Sequence, residues 1–340
     1  MQSAVRKIRP ETLQHIQELL CVQWHQQGLL DIDQIRIDST VVKANIAPPS
    51  DSGLLDDSIR VLSRQMAICC RETGLKVRFT DQRKQSKKLA FAIFHAKDPE
   101  KQVLYPKLLF CAGVVLKQVN RTLDTLSQQT SNEPATIDWI DTVKHYRLLL
   151  CQVIHQTQQR VYADNPLPSI EKVVSIFEPH TDIIVKGAQE TQYGHKINLA
   201  TDTQGLVIHL DILQGNPADK SLYLPVLDSH KKLFSQLPHS TIADGGYASA
   251  ENACKARDEG VTRAVFHKRT GLGYHEMGVK KKTLRKLRDF RAGIEGNISE
   301  LKRAFGLSKA NWKNQDGFDA FVWSGVLAYN LIRMCRLSTA

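Results

Sequence analysis

The 340-residue chain lacks any long hydrophobic run. Its longest continuous apolar stretch, Leu108–Leu116, spans nine residues, whereas a helix needs roughly 20 apolar residues to cross a bilayer. The first ten residues, Met1–Pro10, contain three basic residues, and no apolar stretch of the signal-peptide type follows them. We therefore expect a cytoplasmic protein that has no membrane partner.

The chain also lacks any clustered arrangement of cysteines. Its seven cysteines are scattered from Cys21 to Cys335 and include no Cys-x-x-Cys pair. A disulfide framework or a structural zinc site needs regular, closely spaced cysteines. We therefore expect free thiols, and the pattern argues against a zinc protein or a redox-active thiol enzyme.

Negative charge is scarce in two parts of the sequence. The whole chain has 46 Lys and Arg against 35 Asp and Glu, a formal net charge of +11. The segment Arg263–Lys313 has 14 basic and 4 acidic residues, so it alone carries a net charge of +10. A second segment, Arg71–Lys107, has 10 basic and 4 acidic residues. Positive charge concentrated in this way predicts a polyanionic partner, of which nucleic acid is the commonest.

The order of the predicted elements indicates an α/β fold. A strand at Gln34–Val42 is followed by a long helical block, and strands then alternate with helices after Pro168. This order predicts a mixed sheet flanked by helices, with a helical insertion after the first strand. The predicted parts are a short N-terminal helical segment at 1–33, a catalytic domain at 34–53 and 166–340, and the helical insertion at 54–165.

Two aspartates, one inside a predicted strand and one directly after another, are candidate catalytic residues. Asp38 is inside an otherwise apolar strand, where an unpaired buried carboxylate costs several kcal/mol. Asp244 follows a short strand and precedes two glycines, which allow a sharp turn and a close substrate approach. Ligands of α/β sheets gather at such strand ends. Taken singly, each aspartate is also explained by a local turn.

A third acid, Glu295, lies on a predicted basic helix. Arg291 and Lys302 fall on the same face of that helix, because they lie four residues before and seven residues after Glu295. Taken alone, the pattern is also that of an exposed salt bridge between residues i and i+4. Clustered carboxylates are what two-metal phosphoryl transfer requires, because Mg²⁺ prefers oxygen ligands.

Several segments together resemble the catalytic part of a DDE transposase from a bacterial insertion sequence, and they are most similar to the ISNCY type. The resemblance extends from about residue 35 to the C-terminus. The matching segments are Asp38-Ser-Thr-Val-Val42, Pro49-Ser-Asp-Ser-Gly-Leu-Leu55, Gly194-His-Lys196, Gly215-Asn-Pro-Ala-Asp219, Ala243-Asp-Gly-Gly-Tyr247 and the Arg-x3-Glu-x6-Lys pattern from Arg291 to Lys302.

The resemblance implies an RNase-H-like fold and metal-dependent cleavage of DNA at the ends of the element, followed by strand transfer to target DNA. Asp38, Asp244 and Glu295 would hold two Mg²⁺ ions, for which Mn²⁺ would substitute. The implied partners are terminal inverted repeats and target DNA, bound by a homodimer or a larger assembly. The residues expected to contact DNA are Arg291, Lys302, Lys196, His195 and Arg288.

The chain departs from the family pattern at two points. Arg288 stands where the family usually has Tyr, three residues before the Arg of the pattern. Only 37 residues precede Asp38, so the resemblance implies that the usual N-terminal DNA-binding region is missing. Two alternatives stay open: an RNase-H-like nuclease that does not transpose, and a catalytically silent, DNA-binding relic of a transposon. DNA contact by Arg83, Lys84, Lys87 and Lys88 of the insertion is a further hypothesis.

Overall fold

The structure is a computed structural model that describes residues 8–73, 77–127, 134–185, 190–267 and 271–339. No helix within these ranges is long and apolar enough to cross a membrane. The strands are β1 (Gln34–Lys43), β2 (Asp182–Ile184), β3 (Gln192–Thr201), β4 (Val207–Ile212), β5 (Ser240–Ala243) and β6 (Arg263–Phe266). The helices are α1 (Pro10–Gln26), α2 (Asp51–Thr73), α3 (Arg83–His95), α4 (Asp98–Ser127), α5 (Pro134–Tyr162), α6 (Tyr223–Phe234), α7 (Ala250–Asp258), α8 (Lys281–Ala304) and α9 (Asn314–Ser338).

The chain divides into two compact units. One unit, the sheet unit, combines Met1–Asn45 with Asp182–Ala340, and the other, the helical unit, is Ile46–Thr181. These bounds differ from the sequence-based division in three places. Residues 1–33 join the sheet unit because α1 packs on its core, while 46–53 and 166–181 join the helical unit, where Val173 and Ile176 are buried among the helices.

The helical unit is built from α2, α3, α4 and α5 around one apolar core. Leu62, Leu108 and Leu150 are fully buried there and come from three different helices. Apolar side chains recur at helical spacing on the inward face of each helix, which is the pattern that stabilises a helical bundle. Pro106 is accommodated inside α4.

The sheet unit contains one mixed sheet in the strand order β2-β3-β1-β5-β6, and β4 pairs with the outer edge of β3. β1 is antiparallel to β3 and parallel to β5, and β5 is parallel to β6. The mixed α/β class expected from the sequence is confirmed. β1 is therefore a central strand, and it is buried because both of its edges are paired and helices cover its faces.

Helix α8 lies unusually close to β1 because Gly293 has no side chain. A Cβ atom at Gly293 would come within 1.7 Å of Nη1 of Arg36. The Arg36 guanidinium is buried and donates to Thr201 Oγ1 at 3.2 Å and to the carbonyl oxygens of Asp202 at 2.8 Å and Phe290 at 3.3 Å. It also stacks on the Phe290 ring, 4.4 Å from the ring centroid. Arg36 thus fixes the position of α8 on the sheet.

The two glycines of α8 should respond oppositely to alanine. Gly296 has open space where a Cβ would stand, so Gly296→Ala should raise the free energy of unfolding by up to about 1 kcal/mol through helix propensity. Gly293→Ala should lower it by about 1–3 kcal/mol through overpacking against Arg36. Urea denaturation of both variants measures the difference, and equal effects at the two positions would contradict the packing described for α8.

Candidate active site

Asp38 and Asp244 lie side by side at one end of the sheet. β1 and β5 are parallel neighbours, and Ile37 is in register with Ala243. The next residue on each strand is therefore an aspartate at the same edge. Asp38 lies in the middle of β1, and Asp244 directly follows the end of β5. The side chain of Asp38 is 16% exposed and that of Asp244 is 43% exposed, so both reach the surface.

Glu295 is brought to the same place by α8. Its carboxylate accepts a hydrogen bond from Nη1 of Arg291, one helical turn earlier, at 2.8 Å. Nη2 of the same guanidinium lies 3.1 Å from Asp38 Oδ2 and 3.7 Å from Asp244 Oδ1. One cation therefore contacts all three acids that the sequence singled out.

Arg291 is the buried member of this group. Its side chain is only 10% exposed, whereas that of Glu295 is 62% exposed. The Arg291 Nε atom is buried without a hydrogen-bond partner. The guanidinium therefore contacts the carboxylates through its two Nη atoms alone. Charge-assisted bonds of this kind are the strong ones in a partly dry site.

The chemistry of these donors fits a hard divalent cation. Carboxylate oxygens are the ligands that Mg²⁺ and Mn²⁺ prefer. Within the described ranges, no group of three His, Cys, Asp or Glu side chains is close enough together to hold a metal ion. The spacing of Asp38, Asp244 and Glu295 is instead set by the guanidinium that lies among them.

A second network, which the sequence did not predict, supports β1 from the opposite face. Successive side chains of a strand point to opposite faces, and Ser39 accordingly faces away from Arg291. Its hydroxyl donates to Asp219 Oδ1 at 2.9 Å. Asp219 also lies 2.6 Å from the ammonium of Lys196, whose side chain is 3% exposed. The segment Gly215-Asn-Pro-Ala-Asp219 matches the family pattern, but nothing in it indicates that Asp219 contacts Ser39 or Lys196.

Asp219 also shapes the turn that follows Asp244. A Cβ at Gly246 would come within 2.8 Å of Asp219 Oδ2, so the second glycine lets this turn approach Asp219. Tyr247 is buried in the turn and donates to Asn198 Oδ1 at 2.7 Å. Burial raises the pKa of Tyr247, and the nearby negative charges of Asp219 and Asp38 raise it further. The phenol therefore stays protonated and anchors the turn.

Lys196 and His195 do not lie where a DNA contact requires them. Lys196 is buried against Asp219 and the Pro217 carbonyl oxygen. The side chain of His195 is 1% exposed, with Nδ1 2.8 Å from Asp182 Oδ2 and its ring edge-on to Phe318. Side chains this inaccessible offer no surface to a DNA backbone, so their role is to hold β3 in place.

Arg288 and Lys302 lie on α8, seven residues before and seven residues after Glu295. Arg288 is exposed and Lys302 is half-buried. Both are therefore open to solvent, as a phosphate contact requires. Phe290, the aromatic residue nearest to Arg288 in the sequence, packs against Arg36.

Removing the cation among the acids should destabilise the fold. We expect Arg291→Gln to lower the free energy of unfolding by about 1–3 kcal/mol at pH 7, because three neighbouring carboxylates lose their buried partner. Added Mn²⁺ should raise the melting temperature of this variant more than that of the wild type.

The matched control is Arg288→Gln on the same helix. Arg288 is exposed, so this variant should be as stable as the wild type at pH 7 and at every Mn²⁺ concentration. Denaturation followed by circular dichroism and by differential scanning fluorimetry measures both variants. Equal stability of the two variants at pH 7 would contradict a stabilising role for Arg291.

Comparison with known proteins bears on the same part of the chain. No curated protein matches the sequence, and no solved structure matches it. Residues 178–331 match a family model described as the transposase DDE domain. These residues include Asp244, Arg291 and Glu295, whereas Asp38 lies outside them. The match therefore supports a DDE transposase.

Proposed function

We propose that the protein is a transposase that cleaves DNA at the ends of an insertion sequence and transfers the strand to target DNA, with Asp38, Asp244 and Glu295 as its catalytic acids. The observation that carries the proposal is the convergence of these acids, from β1, the end of β5 and α8, on one guanidinium. The family match covers two of the three acids, and transposases of this family act on DNA with divalent metal ions.

The three acids are the residues that would hold the metal, which we propose to be two Mg²⁺ ions with Mn²⁺ as a substitute. Such ions supply an activated oxygen nucleophile and charge stabilisation for the leaving oxygen. The carboxylates come from three separate elements, so the fold can present oxygen ligands from three directions. Of the three acids, Glu295 is the most exposed and Asp38 the least, so Glu295 is the acid most open to an incoming substrate.

Arg291 is the residue best placed to act on the phosphate. Its guanidinium is held among the acids, so a phosphate bound beside Asp38 and Asp244 lies within its reach. A planar guanidinium can make two parallel hydrogen bonds to phosphate oxygens. Lys302 and Arg288 on the same helix then extend the contact along the DNA backbone, and each such contact adds about one released counterion.

The sheet topology supports an RNase-H-like fold. The antiparallel β4-β3-β1 part joins the parallel β1-β5-β6 part. Asp38 and Asp244 directly follow the last residues that pair β1 with β5. The motifs around the acids favour the ISNCY type. We further propose that the protein acts in the cytoplasm on terminal inverted repeats and target DNA, as a homodimer or a larger assembly.

The transposase match does not favour the two alternative functions. A nuclease that only nicks DNA would use the same acids, and strand transfer of a labelled DNA end into a plasmid separates it from a transposase. A silent relic would bind DNA without cutting it. Both alternatives are therefore outcomes of the cleavage experiment below.

The cleavage experiment uses a DNA duplex that contains the sequence flanking the gene, with Mg²⁺ or Mn²⁺. We expect metal-dependent nicks at the flanks, and a loss of at least about 10³-fold in rate for Asp38→Asn and for Asp244→Asn, because each removes a charged oxygen ligand. Asp289→Asn, an exposed acid of α8, is the control and should cut at the wild-type rate. DNA cleavage that persists in both Asp38→Asn and Asp244→Asn would overturn the assignment of the acids.

A further inference from the structure

Helix α3 (Arg83–His95) of the helical unit contains no carboxylate. It has one arginine, three lysines and a terminal histidine. Ser86, Leu89 and Ile93 form its buried face and pack into the core of the unit. The side chains on the opposite face are exposed, and they are Lys84, Lys87, Lys88, Phe91, Phe94 and His95. We call these six residues the α3 face.

The charge on this helix opposes its own stability. Acidic residues favour a helix N-terminus and basic residues oppose it, because of the helix dipole. The first turn of α3 has no acid and contains Arg83 and Lys84. The one side chain seen to cap it is Asp81, two residues before the helix, which accepts a hydrogen bond from the backbone N–H of Arg83 at 2.9 Å. Asp81 offsets the charge of Arg83, but Lys84 gains nothing from its place in the first turn, which points to a partner outside the helix.

Neighbouring carboxylates leave most of this charge available. Asp81 forms its ion pair with Arg83, whose guanidinium lies 2.6 Å away, and lies near Lys84. Asp56 on α2 accepts a hydrogen bond from the Ser86 hydroxyl at 2.5 Å, and the charge of Lys87 acts on it. Among the residues that the structure describes, no ion pair joins Lys84, Lys87 or Lys88 to a carboxylate.

The second half of the α3 face is aromatic. Phe91 is 69% exposed and Phe94 is 74% exposed, whereas large apolar side chains of this kind are usually buried. The ring of His95 lies 4.5 Å from the Phe91 ring centroid and 5.0 Å from that of Phe94. Three aromatic rings therefore stand together at the end of a row of lysines.

We infer that the α3 face binds DNA that carries unpaired nucleotides, with the lysines on the phosphates and Phe91 and Phe94 stacked on exposed bases. The inference rests on DNA as the partner in the proposed function, and it assigns a second contact apart from the acids. Lysines alone bind any phosphate backbone, whereas an exposed phenyl ring gains energy from a base only where that base is unstacked from its neighbours.

The charge of the α3 face and its place on the helix favour this partner over others. An interfacial membrane helix buries its own apolar face in lipid, but the apolar face of α3 is already packed in the core. A second copy of this chain, with its formal net charge of +11, would meet the lysines with like charge. A polyanion with flat apolar surfaces, which is DNA with open bases, complements both halves of the α3 face.

The test measures binding of the full chain to two fluorescent probes, a 30-base-pair duplex and the same duplex with three unpaired nucleotides at its centre. Wild type should prefer the second probe by about tenfold. K84E/K88E should weaken binding of both probes by at least about tenfold and lower the salt slope by about 2. F91A/F94A should bind the plain duplex within about twofold of wild type and lose the preference.

Matched controls separate these effects from general changes in charge and exposure. K117E/K144E makes the same charge change at exposed lysines of α4 and α5, and F110A removes a phenyl ring that is 71% exposed on α4. Both should bind as wild type does. A 2-aminopurine base at the unpaired position should be quenched by wild type and by F110A, and not by F91A/F94A.

Three results would overturn the inference. The α3 variants could bind both probes as their controls do. Anionic vesicles could bind as tightly as DNA and be released by the same substitutions, which would make the α3 face a lipid surface. Sedimentation could show that F91A/F94A abolishes self-association while leaving DNA binding intact. None of these results bears on cleavage, so a failure here is distinguishable from a failure of the proposed function.

Discussion

The arrangement of the sheet unit depends on one guanidinium, that of Arg291, which offsets the repulsion among three carboxylates. Two like charges 4 Å apart repel each other by about 4 kcal/mol at an effective dielectric constant of 20. Asp38, Asp244 and Glu295 lie around Arg291, whose Nη atoms are 2.8–3.7 Å from their oxygens. The acids can converge at one end of the sheet because α8 delivers a buried positive charge between them. The same convergence is what a site for cationic cofactors requires.

The position of α8 in turn depends on a second buried arginine. Arg36 lies on the same face of β1 as Asp38 and fixes the backbone and side chains of α8 through Phe290 and Asn297. Gly293 allows the helix to come close enough for these contacts. Burial lowers the pKa of the Arg36 guanidinium, yet its hydrogen bonds to carbonyl oxygens keep it satisfied. One arginine therefore positions the helix, and the other positions the acids.

The sequence predicted the mixed α/β class and the elements that carry the acids because both depend on local patterns. Asp38 interrupts an apolar strand, Asp244 follows one, and Glu295 lies on a helix with a clear period, so each could be located from its neighbours. The burial of Lys196 could not be predicted in this way. Its partner, Asp219, arrives from a turn 23 residues later, and strand periodicity contains no information about which loop covers a strand. For the same reason, the close approach of Gly293 to Arg36 could not be predicted from the sequence.

Fe²⁺-dependent hydroxyl-radical cleavage of the protein tests most directly the proposal that the three acids form one divalent-metal site. Iron bound in place of Mg²⁺ should cut the backbone near residues 38, 244 and 295, and excess Mg²⁺ should suppress all three cuts together. Fragments that end elsewhere, or cuts near only one of the three acids, would contradict a shared site.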